Sequence, residues 1–257
     1  MLDLPHAVSE VVDLLAKVRG VVAVALGGSR AVGSLATGAD WDLGVYYRGL
    51  LDLDQLAVLG TIHPPGAWGR IMNGGAWLTV GGEKVDVLLR DLDVVEYWTE
   101  RAMNGEFEVD ALLGYVAGVP TYTLMGELAS CRVLHGDLPS VSYPTRLAAS
   151  APARWRFSRT FSLDYARAHA RQRHIVGAVA QTAKAVFEEA HAIACERGRW
   201  VCNEKRLIDA AELGAVHGLF AELPTDSAEL FRWIDRIAAG VGASPHDAAP
   251  WLRPVGM

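Results

Sequence analysis

An apolar run ending in two glycines, followed by an aspartate pair on a second apolar run, restricts the fold of this chain more than any other feature. Val21-Val22-Ala23-Val24-Ala25-Leu26 is short, apolar and bounded by glycines, and reads as a buried strand. Gly27 and Gly28 permit positive φ and let a ligand come close to the backbone. Ser29 is predicted as the N-cap of a short helix from Arg30 to Leu35. Free N–H groups at such a start, with the Ser29 hydroxyl, suit phosphate oxygens, and Arg30 supplies a charge-assisted bond. No Gly-Lys-Ser/Thr follows, so this is not a Walker loop. Taken alone, the stretch is equally a plain strand–turn–helix.

The aspartates sharpen the reading. Trp41-Asp42-Leu43-Gly44-Val45-Tyr46-Tyr47 is predicted as a strand. Alternation places Leu43, Val45 and Tyr47 on one face and Asp42, with Asp40 two residues earlier, on the other. Magnesium takes carboxylates plus phosphate oxygens, and two carboxylates on one strand face offer it a seat. Ala76 to Val80, Gly81-Gly82 and Glu83 to Leu89 then read as a glycine-turned hairpin. Asp86 lies inside its apolar second strand, where an ionised carboxylate needs a cation or a salt bridge to Lys84 or Arg90. If this strand pairs beside that of Asp42, three carboxylates converge, and a pair of metal ions could serve a hydroxyl nucleophile and a pyrophosphate leaving group.

Gly27-Gly28-Ser29-Arg30-Ala31-x-Gly33, Asp40-Trp41-Asp42-Leu43 and Val85-Asp86-Val87 together resemble the DNA polymerase β-like nucleotidyltransferase superfamily, and most of all its small bacterial, antibiotic-modifying members. The match spans roughly residues 20 to 90. The resemblance implies an α+β fold, a mixed sheet flanked by helices with a helical second domain. It implies that Gly27, Gly28, Ser29 and Arg30 hold a triphosphate. Asp40, Asp42 and Asp86 would bind Mg2+, in two sites, with Asp86 as metal ligand or general base. It also suggests Lys184, from the helical part, as a phosphate contact. Trp41 stands where many members carry a small or acidic residue, and it should point away from the metal face.

The rest of the chain supports two domains, 1–140 and 141–257. Helices are expected at Val8–Val18, Leu51–Leu59, Asp91–Met103 and Tyr122–Leu134. Pro139, Pro144 and Pro152 mark the boundary zone. Beyond it the pattern is helical at 153–171, 174–197, 204–213 and 227–239, which reads as a bundle. The three cysteines, Cys131, Cys195 and Cys202, have no metal spacing. No basic leader or long apolar run is evident, so the expected setting is cytoplasmic, without membrane contact.

A net charge of −6 argues against a polynucleotide partner. Arg154, Arg156, Arg159, Arg167, Arg171 and Arg173, with His169 and His174, read as a solvated face or as a contact for an anion; a continuous stripe would revive the nucleic-acid reading. Lys184, in the apolar stretch 176–186, either snorkels or reaches a phosphate. Asn203 reads as a cap, His191 as structural, and Trp68, Trp77 and Trp98 as core, with Trp68 or Tyr46 the alternative stacking surface for a ring. The expectation is therefore transfer of a nucleoside monophosphate, AMP from ATP, to a hydroxyl of a small acceptor such as an antibiotic. The rivals are a transferase acting on a tRNA or a protein, and a non-catalytic, antitoxin-like binding module. An exposed apolar face on the helical part would mark a homodimer.

Overall fold

The computed structural model describes residues 4–33, 39–224 and 226–243. Their elements run α1 (His6–Leu15), β1 (Val21–Leu26), α2 (Gly28–Ala31), β2 (Trp41–Tyr47), α3 (Leu53–Leu56, with a 3-10 turn at Ala57–Leu59), α4 (Gly69–Met72), β3 (Gly74–Val80), β4 (Glu83–Asp91) and α5 (Leu92–Met103). They continue with β5 (Val109–Asp110), β6 (Val119–Pro120), α6 (Thr123–Ser130), β7 (Arg132–His135), α7 (Thr145–Arg171), α8 (Ile175–Glu196), α9 (Leu207–Ala210), α10 (Val216–Ala221) and α11 (Ser227–Gly240). The fold is α+β. The chain forms two compact units, 1–102 with 107–112 and 120–142, and 143–257 with 103–106 and 113–119.

The first unit is built on a five-stranded mixed sheet in the order β3-β4-β2-β1-β7. β2 and β4 are parallel, and the other pairs are antiparallel. One sheet face is apolar: Val24, Leu26, Trp41, Leu43, Val45, Val85, Val87 and Leu89 share a core with Val8, Val11, Val12 and Leu15 of α1. Alternation therefore turns Asp42, Asp86 and Trp77 to the other face. The buried guanidinium of Arg90 makes two bonds to Glu127, at 2.6 and 2.8 Å, and fastens α6 to β4.

The second unit packs α7, α8 and α11 around Leu163, Val186, Trp233, Ile234 and Ile237. Ala166, Ala170, Ala178 and Ala185 line the same core, and their small side chains let helices approach closely. Pro152, which local propensity places in a boundary loop, sits inside the 27-residue α7. Burial of Leu147, Ala151 and Trp155 along that helix offsets the bond a proline removes. The helix expected to span Tyr122–Leu134 breaks at Cys131, and Arg132–His135 becomes edge strand β7 against β1. A four-residue strand open to solvent carries too little alternation to be read from sequence.

Candidate active site

The parallel register of β2 and β4 sets Asp42 directly opposite Asp86. Residues so paired point to the same sheet face, and neighbouring strands lie ~4.8 Å apart. The glycine turn closes over Asp42. Gly27 N–H bonds to the Asp42 carbonyl at 2.7 Å. Gly28, at φ +61°, approaches so closely that a Cβ there would lie 1.8 Å from Asp42 Oδ2. Only glycine permits that contact and that φ together.

Ser29 is not the cap. Gly27 holds the extended N-cap conformation and the helix starts at Gly28, which moves Ser29 into the first turn without a capping bond. The expected helix end at Leu35 lies outside the described residues. Arg30 also makes contacts within the protein. Its Nε and Nη2 donate to the Ala39 carbonyl at 2.9 and 2.6 Å, and its guanidinium stacks 4.0 Å from the Trp41 ring centre. Trp41 faces the core and donates through Nε1 to Glu83 at 3.0 Å.

The donor set fits magnesium only in part. Asp40 stands one residue ahead of β2, and Asp42 and Asp86 are half-buried neighbours. Among the described residues, no group of three or more His, Cys, Asp or Glu side chains is drawn together tightly enough to hold an ion. Asp42 and Asp86 form the adjacent pair, and Asp40 flanks them at the start of β2. Three like charges have no reason to close on one another without a cation between them. A pair suffices for magnesium that takes its other ligands from phosphates and water.

Beyond Asp86 lies an aromatic cluster. Trp77 on β3 is the cross-strand partner of Asp86. The core position expected for it is not the one it takes: it is 64% exposed, because Ala76 and Leu78 hold the inward positions. Trp68 stacks on it, with ring centres 4.7 Å apart, and His63 meets it edge-on at 4.9 Å. The alternation Ala76-Trp77-Leu78 is the sequence signal for this placement.

Among solved structures, the chain is similar to a nucleotidyltransferase-like protein from Exiguobacterium sibiricum 255-15. Identity is 13% and the TM-score 0.43, over 92% of this chain and 72% of that one. No family model and no curated protein matches the chain. A likeness of that depth carries no weight for the chemistry, which stands on the residues themselves.

In the second unit, Lys184 on α8 faces Glu188 at 3.8 Å. Glu188 is buried, and that burial pushes its carboxyl up to about 7, against the lowering effects of Ser162, Lys184 and Arg159. Three arginines of the arginine-rich run are paired within the unit. Arg156 pairs with Glu189 and Glu196, Arg159 with Glu189, and Arg167 with Asp164 and Asp235. His191 is structural: it is buried and stacks on Trp155, with ring centres 4.4 Å apart, and burial pulls its pKa down. Sequence reasoning missed the role of Glu204, whose buried carboxylate accepts the N–H groups of Val116 and Ala117. Phe157, Phe161 and Tyr165 leave an exposed apolar stripe along α7. Among the described residues, no helix is long and apolar enough to cross a membrane.

Proposed function

We propose that this chain is a metal-dependent nucleotidyltransferase that moves AMP from ATP to a hydroxyl of a small-molecule acceptor, such as an antibiotic, and releases pyrophosphate. The observation that carries this reading is the Asp42–Asp86 pair lying side by side, with the Gly28 turn closed against Asp42. That is a donor pair beside a backbone cradle, both on the sheet face opposite the core.

Asp42 and Asp86 would hold magnesium, with Asp40 beside them, and the ion would neutralise charge on the phosphates and on the departing pyrophosphate. Gly27 turns the chain and Gly28 lets phosphate oxygens reach the backbone N–H groups that follow it, and Ser29 donates its hydroxyl. Arg30 acts from behind, tying the turn to the strand that carries the aspartates. The acceptor oxygen forms a bond to the α-phosphorus as the bond to pyrophosphate breaks, and Asp86 takes the hydroxyl proton. Most of the acceleration then comes from positioning and fixed charge. The pairing of Arg156, Arg159 and Arg167 with carboxylates weighs against a polynucleotide acceptor.

Calorimetry of ATP with magnesium tests this reading. Wild type should bind in a metal-dependent manner, and Asp40→Asn/Asp42→Asn should abolish that binding while leaving the fold intact. A folded wild type that binds no triphosphate would favour the non-catalytic binding module.

A further inference from the structure

Asp40 lies beyond the ladders that hold Asp42 and Asp86. The β2–β4 ladder begins at Trp41 and the β1–β2 ladder reaches only Leu43. A side chain from the glycine turn holds the Asp40 backbone instead. Arg30 Nε donates to the carbonyls of Ala39 and Asp40, at 2.9 and 3.3 Å, and Nη2 donates to that of Ala39 at 2.6 Å. These two carbonyls bracket Asp40, so the guanidinium fixes the residue from both sides.

Arg30 is itself held. Its guanidinium lies 4.0 Å from the centre of the Trp41 ring, a cation–π contact. Trp41 is 5% exposed, and an indole N–H at that depth needs an acceptor. Glu83 provides it, 3.0 Å from Trp41 Nε1. Glu83 opens β4, three residues ahead of Asp86. On the other flank Arg132 Nε donates to the Ala31 carbonyl at 2.6 Å, which fastens α2, the base from which Arg30 projects, to β7. One line of contacts thus runs from the strand of Asp86, through Trp41 and the glycine turn, back to Asp40.

We infer that Glu83, Trp41 and Arg30 form one positioning unit that sets Asp40 for a divalent cation, an inference that rests on the nucleotidyl-transfer reading. Glu83 fixes the indole plane, the indole fixes the guanidinium, and the guanidinium fixes Asp40. The unit works from the apolar side of the sheet, where Trp41 belongs to the core. It touches the backbone around Asp40 and leaves the carboxylate to the cation.

The test titrates manganese, with a non-hydrolysable ATP analogue present, into wild type, Glu83→Ala, Glu83→Gln and Trp41→Phe, and follows amide hydrogen exchange over residues 39–42 in each. Glu83→Ala and Trp41→Phe both remove the indole bond, and each should weaken manganese binding about tenfold, the low end for groups that hold a metal ligand from outside. Glu83→Gln keeps an acceptor oxygen and should stay close to wild type. In an Asp40→Asn background Glu83→Ala should cost nothing further, because the unit acts through Asp40. Exchange at 39–42 should quicken in Glu83→Ala and not in Glu83→Gln. Equal losses in both backgrounds, no loss in Glu83→Ala, a Glu83→Gln as weak as Glu83→Ala, or unchanged exchange overturns the inference. Failure of wild type to bind manganese with the analogue would sink the nucleotidyl-transfer reading instead, while the exchange comparison still decides whether Glu83 holds Asp40.

Discussion

Replacing Gly28 by alanine should damage nucleotide binding far more than it damages the fold, and a second glycine provides the control. At φ +61° an alanine costs ~1–2 kcal/mol of stability from backbone strain alone. The methyl would also sit 1.8 Å from Asp42 Oδ2, where ordinary contact starts at 3.4 Å, so the carboxylate must retreat by about 1.6 Å. A magnesium–oxygen bond is ~2.1 Å long with little tolerance, and a retreat of that size removes Asp42 as a ligand. Metal-dependent ATP binding should fall on the order of 10–100-fold, the range for disturbed ligand geometry. Gly82, in the β3–β4 turn, has φ +85° and nothing within 4 Å of the place a methyl would take. Gly82→Ala should therefore show the stability loss without the binding loss. The assay is calorimetry of ATP with magnesium, paired with thermal unfolding of both variants. Undiminished ATP affinity in folded Gly28→Ala would refute the placement of the nucleotide against Asp42.

Three further outcomes are expected. The Glu188 carboxyl titrates near 7 when folded against 4.5 otherwise, so the folded state holds the extra proton between those values and stability falls as pH rises through that window, by ~3 kcal/mol in total. Glu188→Gln should flatten that fall in denaturant titrations between pH 4.5 and 8. Lys184→Met should steepen it, because Lys184 helps hold the Glu188 charge; a loss of ATP affinity in the same variant would mark Lys184 as a phosphate contact, and unchanged affinity would confine it to the ion pair. Glu204→Ala strands the buried Ala117 N–H and should cost ~1–3 kcal/mol, with faster proteolysis at 113–119 as the readout.

The strands of the site are legible in the sequence because their faces differ in polarity. Leu43, Val45, Val85 and Val87 alternate with Asp42 and Asp86, and that pattern alone fixes which way each carboxylate turns. What stays hidden depends on partners distant in the chain. Arg30 reads as a phosphate contact, and nothing in the sequence tells that its Nε and Nη2 also reach the Ala39 carbonyl and its plane the Trp41 ring. The arginines of α7 read as a charged face until Glu189 and Glu196 of α8 come alongside. Pro152 reads as a break because local propensity is blind to the burial of Trp155 one turn on. Trp77 differs from these: its large apolar ring suggests the core, while the small and aliphatic neighbours Ala76 and Leu78 already mark it as outward.

The hairpin of β3 and β4 has a consequence for how this protein can fail. Trp77 and Asp86 are opposed across one ladder, and Asp86 is opposed to Asp42 across the next. A slip of one residue by the whole hairpin against β2 would turn both side chains into the hydrophobic layer at once. A misassembled copy therefore loses its indole and its carboxylate in the same error. The exposure of Trp77 is thus a direct report on the register of the strand that carries Asp86.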